Sequence, residues 1–175
     1  MNPTVAVAVP VTLGALLVML GELFVSRANE RELRMMGAVE PPGDVYRAMA
    51  WTYPLAFVAC GIEGALFGPE PGATTAAGAV IFVAAKTLKL WAIATLGTRW
   101  TFRVLVPPSA PLIKRGPYAW LRHPNYVAVI GEIAGFALLV GAPAAGVVSV
   151  VGFGLLMRRR IAIEEQALGI GRSPD

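Results

Sequence analysis

Residues 125–160 read NYVAVIGEIAGFALLVGAPAAGVVSVVGFGLLMRRR. Two apolar stretches, residues 125–141 and 144–160, flank Gly141-Ala142-Pro143, a turn so short that the stretches must form an antiparallel helical hairpin. A helix rises about 1.5 Å per residue, and the two arms are nearly equal in length. The start of the first arm and the end of the second therefore meet at one face. That brings the segment Gly116-Pro117-Tyr118-Ala119-Trp120-Leu121-Arg122-His123-Pro124-Asn125-Tyr126 beside Arg160-Ile161-Ala162-Ile163-Glu164-Glu165.

Working outward, three further apolar stretches occupy residues 3–25, 48–67 and 75–97. Across the 175 residues, 56% are hydrophobic and 15% charged, with a mean hydropathy of +0.63. Soluble domains carry about a quarter charged residues, and one bilayer span takes about 20 apolar residues. The composition excludes a soluble enzyme and predicts an all-α, polytopic membrane protein of five transmembrane helices, one domain over residues 1–175. The first stretch is read as a span and not a signal peptide, because it lacks a basic leading region and runs into Glu22 and a charged loop.

Basic residues fix the expected orientation. Arg27, Arg31, Arg34 and Arg47 follow the first stretch; Arg99, Arg103, Lys114, Arg115 and Arg122 follow the third; Arg158, Arg159, Arg160 and Arg172 end the fifth. The turns Gly68 to Thr74 and Gly141 to Pro143 hold none. By the enrichment of Lys and Arg on the cytoplasmic side, the N-terminus lies outside and the C-terminus inside, with the loop 98–124 facing the cytosol. The net charge of +4 and pI near 9.6 then record topology and contact with anionic headgroups, and no nucleic acid is needed to explain them. No obligate protein partner is evident. One cysteine, Cys60, and one histidine, His123, permit neither a disulfide nor a Cys/His metal site; Cys60 reads as a small core residue.

The chemistry-bearing residues gather at the mouth of the hairpin. Pro124 suits the first turn of a helix, whose free N–H groups attract anions; Arg122 and His123 either add to that attraction or merely snorkel and cap. Arg160 and Glu164, four apart, share a helix face. Within the spans, Lys86 either pairs with a glutamate or serves function, Lys89 lies near enough to the end to snorkel, and Glu132 can reach into a cavity below Asn125. Gly131 and Gly135 allow close helix approach, within the hairpin or between copies.

The run Gly116-Pro117-Tyr118, then Arg122-His123-Pro124-Asn125-Tyr126, then Arg160 followed by Glu164-Glu165 and Leu168, resembles the isoprenylcysteine carboxyl methyltransferase family of integral membrane enzymes and its phospholipid methyltransferase relatives. Ser26-Arg27-Ala28-Asn29-Glu30, Gly37-Ala38-Val39-Glu40 and Leu96-Gly97-Thr98-Arg99-Trp100-Thr101 are similar to its bacterial branch, so the expected location is the bacterial cytoplasmic membrane. The resemblance implies methyl transfer from S-adenosylmethionine, held between the last two spans and the preceding loop. Tyr118, His123 and Tyr126 would line the cofactor, Gly116 and Pro117 would shape the loop, and Pro124, Glu132 and Glu165 would complete the cofactor side. Arg160 and Glu164 would face the substrate. Relatives often carry a histidine in the second span, where this chain has Tyr53 or a neighbour.

The expected acceptor is a lipophilic molecule arriving from the bilayer: the carboxylate of a prenylcysteine-like lipid, or a hydroxyl of a polyketide-type lipid such as an alkylpyrone or alkylresorcinol. A carboxylate needs no base and could be held by Arg160, whereas a phenol or enol would need Glu164 as general base. Three other readings stand beside it. They are a phospholipid or other lipid N-methyltransferase; an NADPH-dependent membrane reductase, normally a much longer chain; and a non-catalytic subunit or transporter in which Glu63, Lys86, Lys89 and Glu132 form a polar path.

Overall fold

A computed structural model describes residues 3–68, 72–108 and 111–169. Among the described residues the regular structure is all helical: α1 Pro3–Met35, α2 Tyr46–Phe67, α3 Ala73–Leu96, α4 Pro124–Val140 and α5 Pro143–Ala167. Two short 3₁₀ turns, Gly97–Arg99 and Gly116–Ala119, punctuate the long loop between α3 and α4. An isolated antiparallel bridge pairs Val39 with Val106.

Among the described residues, three helices are long and apolar enough to cross a membrane: Val5–Met35, Tyr46–Phe67 and Ala73–Arg99. Helices α4 and α5 form the expected hairpin; α4 is apolar but short, and α5 meets charged residues before it completes a full span. Helix α4 has 17 residues, about 25 Å at 1.5 Å per residue, and α5 reaches Arg158-Arg159-Arg160 after fifteen residues that carry no charge. The hairpin turn is built by Gly141 in a left-handed conformation (φ 72°), with Ala142 N–H donating to the Ala137 carbonyl at 2.8 Å. Closing the helix end this way satisfies carbonyls that have no partner in their own helix. Glu63 of α2 satisfies the other side of the turn, accepting from the N–H groups of Ala144 and Ala145 at 3.0 and 2.5 Å.

Helix α1 departs from the expected span boundary. It continues ten residues past residue 25 and, at 33 residues, is about 50 Å long, longer than the roughly 30 Å hydrocarbon core. The projecting end carries Ser26-Arg27-Ala28-Asn29-Glu30. Ser26 accepts from the Phe102 N–H at 2.8 Å and donates to Glu30 at 2.9 Å, while Asn29 donates to the carbonyls of Gly97 (3.3 Å) and Trp100 (2.7 Å). Arg103 then ties Glu40 (2.7 Å) to Glu30 (3.5 Å). Burial raises the Glu40 carboxyl, but the hydrogen bonds and charges of Arg34 and Arg103 outweigh it and hold the group below its ordinary value. These motif residues fasten the 98–108 segment as a strap over the end of the bundle.

The small residues of α4 serve packing inside one chain, and the partner is α3 instead of α5. A Cβ at Gly135 would lie 2.5 Å from the backbone nitrogen of Phe82, and one at Gly131 would lie 2.9 Å from Ala85 Cβ; Gly78 of α3 meets the backbone of Leu139 in the same way. Close backbone approach of this kind is how helices associate where hydrophobicity offers no preference between neighbour and lipid. Against α5, the contact is Gly146 on Ala137. The core between α1, α2, α4 and α5 is filled by Phe57, Cys60, Ile133, Phe136, Phe153 and Met157.

Gly135→Ala is expected to lower the unfolding temperature of the detergent-solubilised protein by several degrees, an overpacking cost of about 1–3 kcal/mol, because the obstructing atoms are backbone. Gly152→Ala, which meets nothing within 4 Å, should leave it unchanged. Equal melting of the two variants in a thermal scan would contradict the close-approach assignment.

Candidate active site

Tyr126, in the first turn of α4, faces the charged end of α5. Its hydroxyl donates to Glu164 and accepts from Arg160 Nε at 2.9 Å. Arg160 and Glu164 thus meet through a phenol instead of directly. One turn earlier on the loop side, His123 stacks on the Tyr126 ring, with centroids 5.3 Å apart and planes at 22°, and its Nε2 lies 3.1 Å from Glu165 Oε1. The imidazole makes no cap hydrogen bond to α4. The exposed Arg122 guanidinium approaches the same Glu165 at 3.9 Å.

Sequence reading missed Asp44. This residue precedes α2 in the segment Pro41-Pro42-Gly43-Asp44, and its side chain is 3% exposed. Its carboxylate accepts from Arg160 Nη1 at 3.4 Å, from Val104 N–H at 2.9 Å and from Tyr46 N–H at 3.1 Å. Arg160, itself buried, therefore has its charge balanced from the α1–α2 linker, 116 residues away. The available signal was an aspartate two residues before a helix start, which is too common to single out.

A cavity of about 1050 Å³ opens beside this cluster, and Tyr118, His123, Tyr126, Arg160, Glu164 and Glu165 all line it. Compact ligand sites run to about 1,000 Å³, so the volume accommodates a nucleoside-sized molecule together with part of an apolar chain. Burial, and then the Glu164 carboxylate, push the Tyr118 phenol well above its ordinary value, which keeps it protonated at neutral pH. The roof is ordered by Trp100, whose indole N–H donates to Asn125 Oδ1 at 3.2 Å.

Four residues assigned to the cofactor side do not line the cavity. Gly116 (φ 57°) turns the loop against α3, where a Cβ would meet Thr95 Oγ1 at 2.5 Å, and Pro117 and Pro124 are buried beneath the loop. Glu132 is wholly buried and committed elsewhere: its carboxylate faces Lys86 Nζ at 2.8 Å and Lys89 Nζ at 3.3 Å and accepts from the Tyr53 hydroxyl. Both lysines also pair with Glu22 of α1, at 3.0 and 2.6 Å. The expected pairing of Lys86 with a glutamate is found, whereas Lys89, 1% exposed, does not snorkel. Glu63 stands apart at the hairpin turn, so the polar path that a transporter would need is divided.

The model of the isoprenylcysteine carboxyl methyltransferase (ICMT) family matches residues 78–170, the segment that contains α4, α5 and the loop before them. The uncharacterized protein YpbQ of Bacillus subtilis (strain 168) is 31% identical over 147 residues, covering 84% of this chain and 88% of that protein. No solved structure matches the chain.

Asp44→Asn should destabilise the protein by on the order of 3 kcal/mol, because it leaves a buried guanidinium without its carboxylate partner. Denaturant unfolding in detergent measures this, and Asp44→Glu should recover part of the loss. If Asp44→Asn unfolds like the parent, Arg160 is balanced by other groups.

Proposed function

From its membership of the isoprenylcysteine carboxyl methyltransferase family, a family of membrane methyltransferases, we propose that this protein uses S-adenosylmethionine to O-methylate a lipophilic carboxylic acid at the cytosolic edge of a bacterial cytoplasmic membrane. The observation that carries the reading is a buried arginine held in place at the wall of a large cavity lined by apolar and aromatic side chains together with other basic ones, among them Arg27, Arg47, Arg99 and Arg103.

The lining suits the cofactor. Ring faces of Tyr118, His123 and Tyr126 favour a cationic centre and an adenine, the exposed Arg122 suits a carboxylate, and Glu165 suits an ammonium or ribose hydroxyls. When bound, S-adenosylmethionine supplies a methyl group on a positively charged sulfur, open to in-line attack.

The protein's own contribution is orientation and exclusion of water. Arg160 carries Nη1 on Asp44 and Nε on Tyr126, which fixes the guanidinium plane and leaves its remaining N–H donors for an acceptor carboxylate. A carboxylate is ionised at neutral pH, so no base is required. Glu164 accepts from Tyr126 and thereby holds the phenol that positions Arg160. The guanidinium offers only N–H donors, which complement a carboxylate and not an ammonium, and this supports O- over N-methylation. An apolar chain reaches the site from the bilayer, through a wall that includes Leu16, Leu20 and Trp51.

Purified protein should bind radiolabelled S-adenosylmethionine and transfer the label to a long-chain carboxylic acid. Arg160→Ala should cut kcat/KM for that acid about 100-fold by releasing the acceptor from line, and His123→Ala should weaken cofactor binding. Absence of labelled cofactor binding by the folded protein would overturn the assignment.

A further inference from the structure

The cavity has a floor as well as a mouth. On α5, Phe153, Met157, Arg160 and Glu164 line it at steps of four, three and four residues, the spacing of one helix face. Phe153 is the deepest of these, and its ring centroid lies 5.4 Å from that of Tyr53, the cavity's deepest aromatic residue on α2. One turn beneath, Phe57, Ile133 and Phe136 are each 1% exposed and belong to the packed core, not to the cavity wall. The Phe57 ring abuts Tyr53 at 5.2 Å and Phe136 at 4.7 Å, so no channel continues below this level.

Two further contacts keep the floor from giving way. Lys89 shares the level and donates to Glu22 (2.6 Å), Tyr53 (3.3 Å) and Glu132 (3.3 Å). Its three N–H groups are all taken, and parting them would leave a charge unpaired at membrane depth. Below Leu16 and Pro54, which still line the cavity, α1 and α2 close on each other: a Cβ at Gly61 would lie 2.3 Å from Thr12 Oγ1.

Helix geometry gives the depth. Phe153 precedes Arg160 by seven residues, and Tyr53 follows Tyr46 by seven, about 10 Å along each axis. An extended hydrocarbon chain, with bonds of about 1.5 Å zigzagging at the tetrahedral angle, advances about 1.3 Å per carbon. About eight carbons therefore separate the level of Arg160 from the floor. Between the two levels the wall includes Met19, Val129 and Met157, all buried and apolar.

Resting on the proposed function, in which Arg160 holds the acceptor carboxylate, we infer that the layer of Tyr53 and Phe153 measures the acceptor's chain and that Phe153 sets its length. The preferred acceptor is a straight-chain acid of about eight to ten carbons. Each methylene that fits above the floor adds affinity; a longer tail must fold back and gains nothing further. Phe153 is the adjustable member of the layer, because Tyr53 is bound into the charge network through its hydroxyl and Phe153 is not.

The test is equilibrium dialysis of straight-chain acids, from hexanoic to hexadecanoic, against the purified protein in detergent, with empty micelles subtracted so that Kd refers to the free aqueous acid. It needs neither cofactor nor turnover. Kd should fall about fourfold for each added methylene and then level off, with the break between octanoic and dodecanoic acid. Phe153→Ala should move the break to a longer acid, so that dodecanoic acid binds on the order of tenfold more tightly than to the unaltered protein. Phe153→Leu should move it in the same direction and Phe153→Trp to a shorter acid. A Kd that keeps falling through hexadecanoic acid, a break that stays in place in all three variants, or variants that weaken every acid alike would each refute the floor as a measure of length. Label transfer from S-adenosylmethionine to the same acids is scored separately. A break that follows Phe153 without transfer keeps the length measure and removes the methyl-acceptor reading; transfer without a break does the reverse.

Discussion

Inside a bilayer a charge has no water to turn to, so it must be neutralised by another part of the protein. Two lysines and two glutamates meet that demand together, and in doing so they bind α1, α3 and α4 at one level, with Tyr53 of α2 drawn in through its hydroxyl. Where α3 crosses α4, the glycines let the backbones come close enough for Lys86 and Lys89 to reach Glu132. The cavity is the space left above this polar floor, between α1, α2, α4, α5 and the strap.

The same demand is met differently at the mouth. Arg160 is buried, but its counter-ion comes from a loop outside the helices, and a phenol stands between it and Glu164. Aspartate, phenol and guanidinium restrain one another, so the donors that remain on Arg160 are presented in one orientation. A guanidinium held in this way keeps donors free on the cavity side, which is the feature the proposed function draws on.

Much of this was legible in the sequence for particular physical reasons. The hairpin followed from the brevity of Gly141-Ala142-Pro143 between two apolar arms, and its closure put His123, Tyr126, Arg160, Glu164 and Glu165 together. What stayed hidden depended on contacts between distant segments. Asp44 is an ordinary aspartate until the linker folds over α5, and the ten-residue extension of α1 is polar enough to pass for a loop. Glu132 was placed in the cofactor cavity because helical spacing gives a face but not a partner; Lys86 and Lys89 claim it from α3. The glycines of α4 likewise announced close packing without naming α3 as its object.

The contact between Asp44 and Arg160 spans 116 residues, which gives the site a place in the history of each molecule. Proteins are synthesised from the N-terminus, so α1 to α4 and the strap exist before α5 can supply its guanidinium. Until it does, Asp44 has no cation, Tyr126 has neither Arg160 nor Glu164, and the cavity lacks a wall. Assembly of this cluster therefore waits for the last helix, and a chain interrupted inside α5 lacks it however completely its earlier helices have inserted.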